Sequence, residues 1–246
     1  MTTHPPDESA PSIGIQRLVD SLLDAGVASA MADELSAWLT GSRRYRAFVE
    51  ANRDKIRKKL RGAADGDALL DVRSELRVAQ LLVADRRIEL TFEPSGSRTG
   101  GPDFLVSHRG HPAFTLEVTR RRPGSRSTAD GGALLAKLRQ LPPSVANVVL
   151  VAAQDDRAEP FDAAAAIRSL QARADEGDAR FFTERGFEGI RGFRQRFLRL
   201  GAVIAWFEER QGETRASRWV NRSARIAPPE AAALAVLACL RADPIS

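Results

Sequence analysis

Apolar residues recur at helical spacing between positions 16 and 39: Leu18, Leu22, Leu23, Val27, Met31, Leu35 and Leu39. That period predicts two short helices broken near Gly26. Tyr45, Phe48, Val49, Ile56 and Leu60 continue the pattern over 43–61. The intervening positions carry Arg43, Arg44, Arg46, Arg53, Lys55, Arg57, Lys58, Lys59 and Arg61, so one basic amphipathic helix is expected. Its charged side is either a solvated face or a surface for a phosphate backbone. Over 67–85, Leu69, Leu70, Val72, Leu76, Val78, Ala79, Leu81, Leu82 and Val83 make an apolar face broad enough to pack on a sheet.

Strand patterning follows. Positions 88–93, 103–107 and 113–119 read as three strands separated by a glycine-rich loop (95–101) and a turn at Arg109-Gly110. A polar loop with Pro123 and Gly124 leads to a helix over 132–141. Positions 145–153 are apolar on both faces, as a central strand requires. Positions 161–199 read as helical with breaks at Gly177, Gly186, Gly189 and Gly192. A strand at 201–208, a short extended piece at 219–222 and a helix at 229–241 complete the chain. This is an α/β pattern. Positions 1–12 are expected to be a disordered tail, 13–62 a helical N-terminal extension, and 63–246 an α/β domain with a helical C-terminal elaboration.

Charge and composition narrow the reading. The chain has 246 residues and a formal net charge of +5. Arginine supplies most of the basic charge, because lysine occurs only at Lys55, Lys58, Lys59 and Lys137. A basic balance is compatible with a phosphate-bearing partner. No apolar run approaches the roughly 20 residues a membrane span needs, and no signal pattern opens the chain, so a cytoplasmic protein without membrane contact is expected. Cys239 is the single cysteine and is expected to be a small buried residue. One cysteine and three scattered histidines (His4, His108, His111) exclude a usual structural zinc site. The 95–101 loop lacks the Gly-Lys-Ser/Thr ending of a Walker loop.

Three acids stand out by placement. Asp103 opens one predicted strand and Glu117 lies near the end of the next. Two antiparallel strands joined by a turn can project both from one place, and Glu75 on the preceding helix can be aimed there too. Glu117 interrupts an apolar strand, where a buried charge needs a partner or a metal. Hard carboxylate oxygens suit Mg²⁺, which keeps several waters and takes substrate phosphate as a further ligand.

These residues resemble the PD-(D/E)XK phosphodiesterase superfamily. The resemblance rests on Glu75, Pro102-Asp103 and Glu117-Val118-Thr119, and spans about 67–153. It is nearer still to bacterial proteins of unassigned function with a PDF … EVTR signature. It implies a restriction-endonuclease-like core of helix, three strands, helix and strand. It also implies metal-ligand roles for Asp103, Glu117 and the Val118 carbonyl, with Glu75 as an auxiliary ligand. The expected activity is Mg²⁺- or Mn²⁺-dependent hydrolysis of nucleic acid, DNA in preference to RNA, with a homodimer or a partner subunit as possible assemblies. The motif lysine is replaced by Thr119. Arg121, on the same strand face as Glu117, and Lys137, on the following helix, are the candidate replacements, with Gln140 one turn later. The plain alternative for Lys137 is a solvent-facing helix residue, and for Glu117 a pairing with Arg120–Arg122. The alternative function is a catalytically silent nuclease-like module that binds nucleic acid or a partner protein. Arg191, Arg194, Arg196 and Arg199 form a second basic helical face. Asn221, Trp206, Phe207 and Trp219 are expected to be structural.

Overall fold

The computed structural model describes residues 13–23, 29–94, 101–121, 131–154, 160–209 and 213–241. The N-terminal tail, the expected break near Gly26, most of the glycine-rich loop and the polar loop around Pro123 lie outside the described residues. The chain divides into two compact units between Arg73 and Ser74, inside a helix.

The first unit is helical. It contains α1 (Ile13–Leu22), α2 (Ser29–Gly41), α3 (Arg43–Ala51), α4 (Arg53–Gly62) and the start of α5 (Gly66–Leu82). Leu22, Met31, Leu35, Leu39, Tyr45, Val49 and Ile56 are buried, as the apolar period predicts, while in α1 Ile15 and Val19 take the core positions and Leu18 is half-buried. The basic helix expected over 43–61 is two helices. Asn52 leaves helical geometry at φ −111° and ψ 14°, and its side-chain amide donates to Phe48 O at 2.8 Å. An Asn that bonds a carbonyl of the preceding turn competes with the helix ladder, which explains the break.

The second unit is built on a six-stranded mixed sheet in the order β1-β2-β3-β4-β5-β6. The strands are β1 (Ile88–Phe92), β2 (Phe104–His108), β3 (Phe114–Arg120), β4 (Ala146–Gln154), β5 (Leu200–Glu208) and β6 (Thr214–Val220). β1, β2 and β3 pair antiparallel, β3, β4 and β5 pair parallel, and β6 returns antiparallel. The helices α6 (Gly132–Leu138), α7 (Ala163–Asp175), α8 (Ala179–Thr183), α9 (Gly189–Phe197) and α10 (Glu230–Cys239) complete the unit. The protein is therefore mixed α/β. Among the described residues no helix is long and apolar enough to cross a membrane.

One face of the sheet presents Val149, Val151, Val203 and Ala205 to a core shared with Leu134, Leu135 and Leu138 of α6 and with residues of α7, α8 and α9. Partners in parallel strands point to the same side, so Glu117, paired with Val149, and Thr119, paired with Val151, belong to this face. The other face carries Leu116, Val118, Val148, Leu150, Ile204 and Trp206, all buried. Glu208 has the parity of that second face, and it receives Arg77 of α5 in a buried ion pair at 2.6 Å.

Three expectations about the C-terminal half change. The short strand at 219–222 is a longer edge strand, β6, whose Thr-Arg-Ala-Ser-Arg run has little apolar signal. Gly192 lies inside α9 rather than breaking it: an added Cβ would press on Glu188 Cβ at 3.0 Å, so close approach explains the glycine. Cys239 is only partly buried, and burial pushes its thiol up to about 11. Trp206 and Phe207 are core residues, and Asn221 is buried, donating to Phe197 O at 3.0 Å and Leu200 O at 2.8 Å.

Candidate active site

The β2–β3 register pairs Phe104 with Leu116, Leu105 with Thr115 and Val106 with Phe114. One step further brings Asp103 opposite Glu117. Asp103 O accepts from Glu93 N at 2.8 Å, and Asp103 Oδ2 accepts from Val118 N at 2.8 Å. The aspartate side chain thus continues the β2–β3 pairing where the strand ends, which fixes one carboxylate oxygen. Asp103 is 7% exposed and Glu117 is 1% exposed.

The cation between them is Lys137. Its Nζ donates to Glu117 Oε2 at 2.7 Å and lies 3.3 Å from Asp103 Oδ2. α6 packs over β3 and β4 through Leu134, Leu135 and Leu138. Lys137 follows Leu134 by three residues, so the two share a helix side, and that side faces the sheet. The expectation of a solvent-facing Lys137 is corrected: the apolar anchoring of α6 turns it inward. Glu117 Oε2 is bonded to Lys137; Arg122 lies outside the described residues.

Burial, and then the charge of Asp103, push the Glu117 carboxyl up to about 7 against the pull of Lys137. Burial works against the Lys137 ammonium, but Asp103, Glu117 and Glu75 outweigh it and hold the amine protonated above its ordinary range. Glu117 Oε1 is buried without a hydrogen-bond partner. An orphaned buried carboxylate oxygen is costly unless something fills its coordination.

Glu75, on α5, is 6% exposed and acts on this cluster through its charge on Lys137. Among the described residues no three acidic, histidine or cysteine side chains gather as one metal cage. Asp103 and Glu117 share Lys137, and Glu75 lies close enough to raise that lysine's pKa by its charge. Two carboxylates still fit Mg²⁺, which is commonly held by one or two carboxylates, water and substrate phosphate. The orphaned Glu117 oxygen is a hard donor of the right kind. Val118 contributes its N–H to Asp103. Thr119 is half-buried beside Val151, and Arg121 follows the strand end with its N–H on Ala152 O at 2.7 Å. The Gln140 side chain is exposed.

The inward lysine had a signal in the chain: it is the only lysine after position 59, three residues from Leu134 on a helix otherwise apolar. Asn147, which interrupts an apolar strand, is fully buried.

The raised Glu117 carboxyl sets a pH dependence. Its protonated form stabilises the fold; that contribution is whole below the ordinary value of 4.5 and is lost as pH rises through about 7. The loss is about 3 kcal/mol. Urea unfolding in EDTA should show stability falling by that order between pH 4.5 and pH 8, and Glu117→Gln should flatten the profile. A wild-type profile that rises over this window would refute the assignment.

No family model matches the chain, and neither a curated protein nor a solved structure shows significant similarity to it.

Proposed function

We propose that the protein hydrolyses nucleic-acid phosphodiesters with a bound Mg²⁺ or Mn²⁺, DNA in preference to RNA, on a restriction-endonuclease-like core. The observation that carries this reading is the Lys137 ammonium between Asp103 and Glu117. It restores, from a helix, the acid–acid–lysine combination that Thr119 removes from β3. The succession α5, β1, β2, β3, α6, β4, with the four strands adjacent in that order, also supports it.

Asp103 and Glu117 would hold the ion. When bound, it polarises the phosphoryl group and lowers the pKa of an attacking water. Glu117 has to be ionised to serve, so its proton must leave before the site is charged. Lys137 supplies positive charge beside the reacting phosphate or water. Glu75 keeps Lys137 protonated.

A second reading rests on the same contacts. The ammonium already compensates both carboxylates, and a closed buried ion cluster of this kind can serve folding alone in a module that binds nucleic acid or a partner without cutting. The deciding experiment is cleavage of supercoiled plasmid and single-stranded DNA with Mg²⁺ or Mn²⁺, for wild type, Asp103→Ala and Glu117→Ala. The expected result is metal-dependent cutting by the wild type that drops to background in both variants. Absence of wild-type cutting with every substrate and metal would defeat the hydrolytic reading and favour the binding module.

A further inference from the structure

A second cluster lies between the end of α6 and α9. Arg139, Arg196 and Arg199 line a cleft of about 190 Å³, together with Gln195, Glu188 and Gly186. Arg199 feels the charges of both Arg196 and Arg225, so four guanidinium groups gather around one region. None of the four has a carboxylate partner among the described residues. Arg199 Nη1 donates to Leu141 O at 3.1 Å, while its Nε is buried with no partner. Glu188 is the one acid in the lining.

The cleft is built, not incidental. Gly186 has φ 79°, and the Arg139 guanidinium lies where its side chain would be. A side chain at 186 would be strained in this left-handed backbone, and the flexible end of Arg139 would have to move aside for it. Arg199 is fixed from below, because Asn147 Nδ2 donates to Arg199 O at 3.0 Å. Like charges held together without counter-charges destabilise a fold, and the arrangement is relieved when an anion enters. Arginine forks match the oxygen geometry of a phosphate.

We infer that this cleft binds a phosphate group of a nucleic-acid strand, as an anchoring site separate from the Asp103–Glu117–Lys137 cluster. The choice of a strand as the source of the phosphate rests on the proposed function; the oxyanion chemistry does not.

The test uses the full chain in EDTA, where no cutting is needed. The probes are inorganic phosphate, and a labelled single-stranded 20-mer followed by fluorescence anisotropy. The proteins are wild type, the double variant Arg139→Gln/Arg196→Gln, and Arg191→Gln as a charge-matched control on the exposed side of α9. Phosphate should raise the wild-type Tm above an equal ionic strength of chloride, and the double variant should lose that difference. The double variant should bind the strand about tenfold more weakly, with a salt dependence shallower by about 0.7 in log–log slope, and the control should not. The double variant should unfold no earlier than wild type without phosphate, because repulsion has been removed; this excludes a folding defect as the cause.

A lost phosphate effect with unchanged strand binding would overturn the strand as the source and leave a site for free phosphate. Unchanged behaviour with both probes would overturn the cleft altogether. Failure of the hydrolytic reading looks different: a wild type that binds the strand through these arginines but never cuts.

Discussion

Lys137→Met should abolish cleavage, by at least about a thousandfold, and destabilise the metal-free fold by about 3 kcal/mol at pH 8. Methionine matches the apolar stem of lysine out to Cε but removes the ammonium that bonds Glu117 at 2.7 Å and approaches Asp103 at 3.3 Å. The two buried carboxylates would then lose the ammonium they share, which costs several kcal/mol because both are largely shielded from water. The loss should shrink at pH 5.5, where Glu117 carries a proton and only Asp103 remains charged. Mn²⁺ should restore part of the variant's stability without restoring cutting, since an ion between the carboxylates replaces the charge but not the amine. Urea unfolding at the two pH values, with and without Mn²⁺, reads all three effects. A variant as stable as wild type at both would mean that the ammonium does not compensate the two acids, and a variant that still cuts would remove Lys137 from the chemistry.

Asn147→Leu should cost about 3 kcal/mol with little change in the urea m-value. Asn147 is fully buried in β4, and its amide donates to Pro142 O at 2.9 Å, Val145 O at 2.8 Å and Arg199 O at 3.0 Å. Its Oδ1 accepts from Thr115 Oγ1 at 2.6 Å. One side chain thus ties the approach to β4, the residue before β5 and the start of β3. Leucine fills the space and satisfies none of these groups, and each buried carbonyl left without a donor costs about 1–3 kcal/mol before relaxation. Thr115→Val removes a single bond of the set and should cost about 1 kcal/mol. Equal losses from the two substitutions would show that Asn147 does not act as the joint of these three segments.

Both residues separate local from non-local information. The helices of the first unit, α5, and the strands β1 to β5 were legible in the chain, because period-3.6 and period-2 burial are properties of short windows. Asp103 and Glu117 were legible as well: their spacing across one turn already makes them neighbours on paired strands. Where local chemistry was ambiguous the reading failed. Asn52 ends a helix by bonding a carbonyl of the preceding turn, and Gly192 sits inside a helix because a neighbour approaches closely. β6 pairs through its backbone, with a sequence too polar to announce a strand.

What the tertiary structure alone decided is where long side chains go. Lys137 is the one charged residue on an otherwise apolar α6, which marks it out, but the period of so short a helix does not say which residues it would meet. The packing of Leu134, Leu135 and Leu138 on β3 and β4 does, by rotating the helix until Lys137 overhangs Glu117. Arg139 and Arg225 are likewise far in the chain from the neighbouring pair Arg196 and Arg199, and only the fold gathers their charges around one cleft. Composition and periodicity determined which segments form and which faces are apolar; the register of β2 on β3 and the seating of α6 on the sheet determined which charges meet. Burial patterns are read within one element, whereas a charge cluster exists only between elements.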